Sequence, residues 1–286
     1  MKLIPGGIWI VAGEKPTSDW TKELFEESPY LYLDTLKERI SQASREVDVL
    51  LMRLKEQGFR AENILDLNCG IGRHSVELGK RDISVLGTDL SPYYIEIAKK
   101  QAKKEKVSGK VRFRVADMRE IAQVLSGEEL FDGIINLFTS FGYYDDATNE
   151  DILRQCSELV RPGGFFFLEV INRDWVIANF QERGFSWFRD MVVLEDSRFD
   201  PNTSRMHDIW TFLMRKDDTR FALEKQITID HRIWSLHELI ETFNKTGWQF
   251  KAVCPGFHEK KSEIPLLESR NLLFIGKKQE MTQKLG

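Results

Sequence analysis

The chain has 286 residues, of which 41 are Lys or Arg and 45 are Asp or Glu, which gives a formal net charge of -4. Proteins that bind the phosphate backbone of nucleic acids usually have an excess of basic residues. This chain has none, so nucleic acid is not the expected partner. A hydrophobic content of 42% with 30% charged residues is typical of a soluble globule. The length fits about two domains, or one α/β domain with an insertion.

Neither a membrane span nor secretion is expected from the sequence. The longest strongly apolar stretch covers residues 163–168, far short of the roughly 20 residues that a span requires. The N-terminal segment has a short apolar run broken by proline and glycine, without a signal-peptide pattern. Cys69, Cys156 and Cys254 are odd in number and far apart, which favours a reducing cytoplasm over a disulfide framework or a zinc site.

Helical periodicity dominates the first part of the chain. Apolar residues within 33–58 recur at intervals of three and four, which predicts a helix with one apolar face, and Gly58 is a typical helix stop. We therefore expect residues 1–60 to form an N-terminal helical cover.

From Asn63 the pattern changes to short β-runs that alternate with helices. The predicted strands are NILDL, SVLGT, VRFRV, FDGIINLF and GGFFFLEVI, with helices from about Gly72, from Pro92 and over 149–160. A helix over 235–246 and the strands WQFKAV and NLLFIG come later in the chain. Such alternation predicts a parallel sheet covered by helices.

The alternation is interrupted between residues 173 and 233. The runs 187–195, 206–214 and 221–234 are aromatic and strand-like, and turn signals rather than helices separate them. We predict a small antiparallel sheet inserted into a main domain that comprises residues 61–172 and 234–278.

Polar groups and glycines follow the first two strands of the predicted sheet. The first strand contains Asp66 and leads through Asn68 to Gly70 and Gly72, just before a helix. Glycines there let the backbone approach a ligand, and the helix N-terminus offers unpaired N–H groups. Asp89 ends the second strand, about 19 positions after Gly70, where a carboxylate can accept both hydroxyls of a ribose.

The third strand runs into Asp117 and Met118. An acidic group there can accept from an adenine amine, while Met118 and Leu90 pack on the faces of the ring. Because the carboxyl ends of parallel strands meet at one edge of a sheet, the sequence predicts a nucleoside pocket at that edge.

Five segments carry a family resemblance. In order, LDLNCGIG, GTDLSP, VADMRE, FDGIINLFTSFGYY and LVRPGGFFFLEV resemble the S-adenosylmethionine-dependent methyltransferases with a Rossmann-like sheet, across roughly residues 60–172 and again after 235. The resemblance implies an α/β fold with a seven-stranded, mostly parallel sheet and helices on both faces. It also implies S-adenosyl-L-methionine as the cofactor and methyl transfer as the activity.

The resemblance further implies roles for individual residues. Gly70 and Gly72 would lie by the methionine part of the cofactor, Asp89 would hold the ribose, and Asp117 would meet the adenine. The chain departs from the family pattern at Asn68, where the family most often has the first glycine of the loop. Asn tolerates the left-handed backbone torsions of such a turn better than most other residues do.

A nicotinamide-dependent oxidoreductase is an alternative, because the segment GIGRHS is nearly the GxGxxG motif. Ser75 occupies the place of the third glycine, and the carboxylate of Asp66 is a poor neighbour for a pyrophosphate. That carboxylate suits the ammonium and sulfonium of S-adenosyl-L-methionine, so charge favours the methyl donor. Arg73, at the start of the first helix, is a candidate partner for the cofactor's carboxylate.

Methyl transfer from a sulfonium is an in-line displacement, so residues that align the acceptor matter most. The segment 136–144 follows the fourth strand, where the methyl group should project. Asn136 is predicted to make a polar contact there. Tyr143 or Phe141 is predicted to contact the acceptor, with core packing as the alternative. His74 either faces the acceptor or serves as a cap or packing residue.

The inserted aromatic strands, residues 173–233, are the expected acceptor lid, and their aromatic rings either hold a cationic amine or form the packed face of the sheet. His207, His231, His237 and His258 show no metal-ligand spacing, so no metal is inferred. The basic strip over 99–114 is a solvated face or, alternatively, an RNA contact. We therefore expect a cytoplasmic methyltransferase for a small-molecule acceptor. An RNA or protein methyltransferase and a non-catalytic cofactor-binding module remain alternatives, and the sequence does not determine the acceptor or the oligomeric state.

Overall fold

The computed structural model describes residues 19–257 and 266–280. The segment considered for a signal peptide, the first part of the predicted helical cover and His258 lie outside these ranges. The strands, in chain order, are β1 Asn63–Leu67, β2 Ser84–Asp89, β3 Val111–Val115, β4 Phe131–Asn136, β5 Val160–Ile171, β6 Arg183–Trp187, β7 Met191–Asp200, β8 Arg205–Arg215, β9 Phe221–Arg232, β10 Trp248–Pro255 and β11 Asn271–Lys278.

The strands form two sheets. The main sheet has seven strands in the order β10-β11-β5-β4-β1-β2-β3, and the second has four in the order β6-β7-β8-β9. Strands β1 to β5 pair in parallel, whereas β11 runs antiparallel to both β5 and β10. The α/β class with a seven-stranded, mostly parallel sheet and a separate antiparallel sheet is therefore confirmed.

The central strands are buried at successive positions because the main sheet is covered on both faces. All six residues of β4 are buried, as are the last four of β1. A parallel strand with helices on both sides needs apolar residues at successive positions rather than at alternate ones. The helices, in chain order, are α1 Trp20–Lys22, α2 Tyr30–Glu38, α3 Ala43–Glu56, α4 Arg73–Lys80, α5 Pro92–Lys104, α6 Ile121–Val124, α7 Asp146–Leu159, α8 Arg173–Asn179 and α9 Leu236–Lys245.

The single helix predicted over 33–58 is wrong, because the structure divides it into two. Helix α2 ends at Glu38, a 3-10 turn covers Ile40–Gln42, and α3 begins at Ala43. The two helices pack against different neighbours: α2 packs beside the glycine loop, and α3 packs against β1 and α4. Ile40, which contributes to the apolar periodicity in the sequence, is exposed at the break.

The inserted sheet has four strands where the sequence indicated three runs. The run 187–195 contains a tight turn between β6 and β7, closed by the Phe188 N–H donating to the Met191 carbonyl at 2.8 Å. Apolar residues stand on both sides of this turn, so the run looked continuous. The run 221–234 was also too long, because β9 ends at Arg232 and Trp234 is buried in the main core.

The chain leaves and re-enters the main domain at adjacent backbone positions. Asn172 and Trp234 form an isolated parallel bridge, and the Arg173 N–H donates to the Trp234 carbonyl at 3.1 Å. The carboxyl end of β5 therefore anchors both ends of the insertion. In 19–257 and 266–280, no helix has the length and apolar character to cross a membrane.

Candidate functional site

The loop after β1 turns through three left-handed residues. Asn68, Gly70 and Gly72 have φ angles of 59°, 55° and 76°. The Asn68 side-chain amide donates to the Met118 sulfur at 3.0 Å and to the Ser140 carbonyl at 3.3 Å. Asparagine therefore adopts the torsion expected of it, and its side chain ties the loop to the segments that follow β3 and β4.

The two glycines of the loop have different surroundings. Gly70 faces the cavity described below, and its N–H donates to an Asp89 carboxylate oxygen at 2.8 Å. Gly72 is not among the residues that line this cavity. A Cβ at Gly72 would lie 2.8 Å from both the Ala98 Cβ and the Phe113 ring. Gly72 thus lets α4 pack closely on α5 and β3, which differs from the predicted place beside the cofactor.

A cavity with about 770 Å³ of empty space, its open mouth included, lies at the carboxyl ends of β1, β2 and β3. Most of the predicted site residues line it, while Gly72 and Asn136 do not. The predicted residues that line it are Asp66, Asn68, Gly70, Arg73, His74, Asp89, Leu90, Asp117, Met118 and Tyr143.

Backbone donors hold the Asp89 carboxylate in place. One oxygen accepts the Gly70 N–H at 2.8 Å, and the other accepts the Ser91 N–H at 2.9 Å. Burial raises the pKa of Asp89 to about 6, although these two hydrogen bonds oppose the rise. A carboxylate can accept about four hydrogen bonds, so Asp89 retains acceptor capacity toward the cavity.

Asp66 is a buried acid in the same cavity. The Ser75 hydroxyl donates to it at 2.5 Å. Burial, with the charge of Asp89 as a smaller contribution, raises the pKa of Asp66 to about 7. A cationic group bound beside Asp66 would favour its ionised form.

The guanidinium of Arg119 forms a multidentate ion pair with the Asp117 carboxylate, which the sequence did not reveal. Its Nε lies 3.0 and 2.9 Å from the two carboxylate oxygens of Asp117, and its Nη2 lies 2.5 Å from one of them. The same guanidinium pairs with Asp19 at 2.9 Å and lies over the Tyr144 ring, 4.6 Å from the centroid. Asp117 is therefore rigidly oriented at the cavity wall.

Arg73 and His74 converge on Glu46, a buried residue of α3. One Glu46 oxygen accepts from the Arg73 guanidinium and, at 2.6 Å, from His74 Nε2. These two partners lower the pKa of Glu46 to about 2 although burial opposes the shift, and burial lowers the pKa of His74 to about 4. His74 is thus a neutral imidazole whose Nε2–H donates to a carboxylate. Nothing in the sequence signalled Glu46, which is 27 positions from Arg73.

Two residues of the segment after β4 lie in the core. Asn136 is fully buried, and its amide donates to the Leu67 carbonyl at 3.1 Å, which links β4 to β1. Asn136 does not line the cavity, where its predicted contact with cofactor or acceptor would be made. Phe141 stacks on Trp234 with ring centroids 5.5 Å apart, so core packing, the alternative, describes it.

A larger cleft, with about 3240 Å³ of empty space including open solvent, extends from the cavity to the four-stranded sheet. Four aromatic residues line both spaces: Phe25, Tyr32, Phe138 and Tyr143. The Tyr143 ring lies 4.8 Å from Trp20 and 5.3 Å from His231. Burial raises the pKa of Tyr143 to about 12, so its hydroxyl is protonated at neutral pH.

Tyr143 thus lies between the cavity and the cleft, and its contact with the acceptor stays a prediction. Sequence reasoning missed Phe25 and Tyr32, which lie in the predicted N-terminal cover before the segment 33–58, whose apolar periodicity predicts a helix. Over 19–257 and 266–280, no group of three or more His, Cys, Asp or Glu side chains is arranged to hold a metal ion.

Comparison with known proteins gives a consistent family signal. Residues 64–164 match the family model described as "Methyltransferase domain". A ubiquinone biosynthesis O-methyltransferase of Acinetobacter baylyi is 29% identical over 117 residues, which cover 41% of this chain and 47% of that protein. The matched part of the chain therefore spans about half the length of this curated relative.

Two solved structures resemble the whole fold. An S-adenosylmethionine-dependent methyltransferase from Clostridium acetobutylicum has a TM-score of 0.70 at 15% identity and covers 88% of this chain and 100% of its own. An amino pentose methyltransferase from Micromonospora echinaspora, solved with S-adenosylmethionine bound, has a TM-score of 0.63 at 20% identity and covers 87% and 97%. At these identities the likeness concerns the fold.

Proposed function

We propose that the chain transfers a methyl group from S-adenosyl-L-methionine to a small-molecule acceptor, on the premise that residues 64–164 match the family model of a methyltransferase domain and that the fold resembles that of an S-adenosylmethionine-dependent methyltransferase. One observation carries the proposal. Acidic side chains at the carboxyl ends of β1, β2 and β3 line a single cavity, and that cavity opens through an aromatic junction into a much larger cleft.

The side chains that line the cavity fit S-adenosyl-L-methionine. Asp89 would accept the ribose hydroxyls, and Asp66 would face the ammonium. Asp117 would accept from the adenine amine, with Met118 and Leu90 packed on the ring. Neither Asp66 nor Asp89 has an ion-pair partner in the part of the chain that the structure describes. The two buried carboxylates can therefore accept hydrogen bonds from a ligand that carries positive charge.

When bound, S-adenosyl-L-methionine supplies an electrophilic methyl group on a sulfonium. The chain's own contribution is alignment and the exclusion of water. Tyr143, Tyr32 and Phe25 border the passage between cavity and cleft, where apolar rings keep water away and leave a restricted path for the acceptor. Arg73 and His74 are proposed to shape the donor end of the cavity, because Glu46 already engages both side chains.

The cleft is the proposed acceptor site, and residues 173–233 are the proposed lid. Strands β7, β8 and β9 present side chains to the cleft, which residues of the main domain after β4 and at the end of β5 also line. Similar proteins named for a ubiquinone precursor pathway and for an amino pentose support a small-molecule acceptor. A lid that closes over the junction would also exclude bulk water from the methyl group.

Isothermal titration with S-adenosylhomocysteine tests the donor site. Wild-type protein should bind it and melt at a higher temperature in its presence, because the ligand binds the folded state. Asp89→Ala should weaken binding by about 1–3 kcal/mol, since two ribose hydroxyls lose their acceptor. The exposed Asp196, which lines neither space, supplies the control variant Asp196→Asn.

The outcomes separate the alternatives. Unchanged affinity in a folded Asp89→Ala variant removes Asp89 from the site. Failure of the wild type to bind S-adenosylhomocysteine contradicts the whole proposal. Donor binding without transfer of a labelled methyl group to any member of a broad acceptor panel would instead favour a non-catalytic binding module.

A further inference from the structure

The cleft-facing side of the lid combines carboxylates with an aromatic ring. On β8, Asp208 and Trp210 point to the same face, because side chains alternate along a strand. Across the β7–β8 pair, Ser197 is opposite Asp208 and Glu195 is opposite Trp210. All four residues line the cleft. The two carboxylates are thus diagonal neighbours on one face, with the indole beside both.

Tyr32 of helix α2 extends this group to the methyl-transfer junction. Its ring stacks on Trp210, with centroids 5.9 Å apart and planes 23° apart. Tyr32 also lines the donor cavity, so the stacked pair connects the two spaces. Burial raises the pKa of Tyr32, and the charge of Glu195 adds to the rise while the charge of Arg39 opposes it.

Asp208 and Glu195 carry negative charge in this part of the cleft without a direct ion-pair partner among residues 19–257 and 266–280. Burial raises the pKa of Asp208 to about 6, with the charge of Glu195 adding to the effect. Of the arginines that line the cleft, Arg39 lies over the Phe138 ring and its charge reaches Tyr32, Arg270 lies over the Trp175 ring, and Arg183 is exposed at the start of β6.

We propose that the acceptor is an amine and that this part of the cleft binds its ammonium group. The amine subsite consists of Tyr32, Glu195, Asp208 and Trp210. Stacked aromatic faces attract a cation, and carboxylates accept its N–H groups in charge-assisted hydrogen bonds. A hydroxyl or thiol acceptor would leave two half-buried carboxylates without a compensating charge. The inference rests on the proposed methyltransferase function and names its substrate class.

The transfer step follows from this placement. The bound ammonium gives one N–H proton to the Asp208 carboxylate, which frees a lone pair on nitrogen. Burial favours this exchange, because it disfavours both the carboxylate and the ammonium relative to their neutral forms. The lone pair then forms the N–C bond as the donor's C–S bond breaks, and the C–S electron pair remains on sulfur. The product is the N-methylated ammonium.

Matched probes test the amine subsite. Protein saturated with S-adenosylhomocysteine is titrated with phenethylamine and with 2-phenylethanol, which differ in the cationic group, and tryptophan fluorescence reports binding. The wild type should prefer the amine by about tenfold or more. In the double variant Asp208→Asn with Glu195→Gln, the preference should fall to about twofold or less, while Asp196→Asn should retain it.

Affinity for S-adenosylhomocysteine, measured in the same samples, separates the two proposals. Donor binding together with equal affinity for both probes overturns the amine subsite and leaves the methyltransferase proposal intact. An amine preference that survives the double variant also overturns it. If the wild type does not bind S-adenosylhomocysteine, both proposals fail. If the double variant does not fold, the single variant Glu195→Gln is titrated with the same two probes. It should lose part of the preference for the amine.

Discussion

Replacing the buried carboxylate of Asp66 by an amide should stabilise the donor-free protein at neutral pH and weaken donor binding. Asp66 is 2% exposed and accepts a hydrogen bond from the Ser75 hydroxyl at 2.5 Å. Asn at this position keeps an oxygen that can accept this hydrogen bond and is nearly the same size. The substitution Asp66→Asn therefore removes the charge and little else.

The size and sign of the effect follow from the pKa of Asp66. Burial raises it from 3.8 to about 7, so between these values the folded protein holds a proton that the unfolded chain has lost. The free energy of unfolding consequently decreases as pH rises through this window. A rise of about three in pKa corresponds to about 4 kcal/mol above pH ~7, which is an upper limit. Below pH ~4 the protonated acid and the amide should be nearly equivalent.

Urea unfolding at a series of pH values from about 5 to about 8 measures the effect. The midpoint of Asp66→Asn should exceed that of the wild type by an amount that grows with pH. Asp196→Asn, which removes an exposed carboxylate outside the cavity and the cleft, is the control variant. A pH-independent difference for Asp66→Asn would refute the reasoning, because it would show that the buried group carries no extra proton.

The same variant should bind S-adenosylhomocysteine on the order of tenfold more weakly, since the ligand's ammonium loses a charged acceptor. Stability and affinity thus change in opposite directions. If the stability gain appears and the affinity is unchanged, Asp66 is a buried acid without a role in donor binding.

Two further predictions concern the loop and the junction. Gly72→Ala and Gly58→Ala both place a Cβ at a left-handed position and should each cost about 1–2 kcal/mol, and Gly72→Ala should cost about 1–3 kcal/mol more through its overlap with Ala98. Equal losses in chemical unfolding would show that the close approach relaxes freely. Tyr143→Ala should slow single-turnover methyl transfer on the order of a hundredfold, and Tyr143→Phe much less, because the ring aligns the acceptor while the hydroxyl stays protonated. A comparable loss in Tyr143→Phe, with disappearance of a titrating limb in the pH profile, would assign the hydroxyl a role in proton transfer.

Local sequence was sufficient for the class of fold and for the position of the cavity. Asp66, Asp89 and Asp117 lie at or just after the carboxyl ends of their strands, and parallel strands end at a common edge, so the three acids meet there. The left-handed turn at Asn68 is likewise a short-range property, decided by the residue type and its neighbours. The abrupt change of pattern after Asn172 was also enough to detect an inserted antiparallel sheet.

Contacts between distant segments were decided only by the tertiary structure. Glu46 meets Arg73 and His74 because α3 packs against α4, and Tyr32 reaches Trp210 because α2 turns away from α3 at a break that apolar periodicity does not reveal. Gly72 and Asn136 are predicted from the sequence to contact the ligand, whereas the tertiary structure places neither among the residues that line the cavity. Apolar periodicity indicates that a side chain is buried. It does not identify the residues that bury the side chain, because the free energy of burial is nearly the same for many apolar partners.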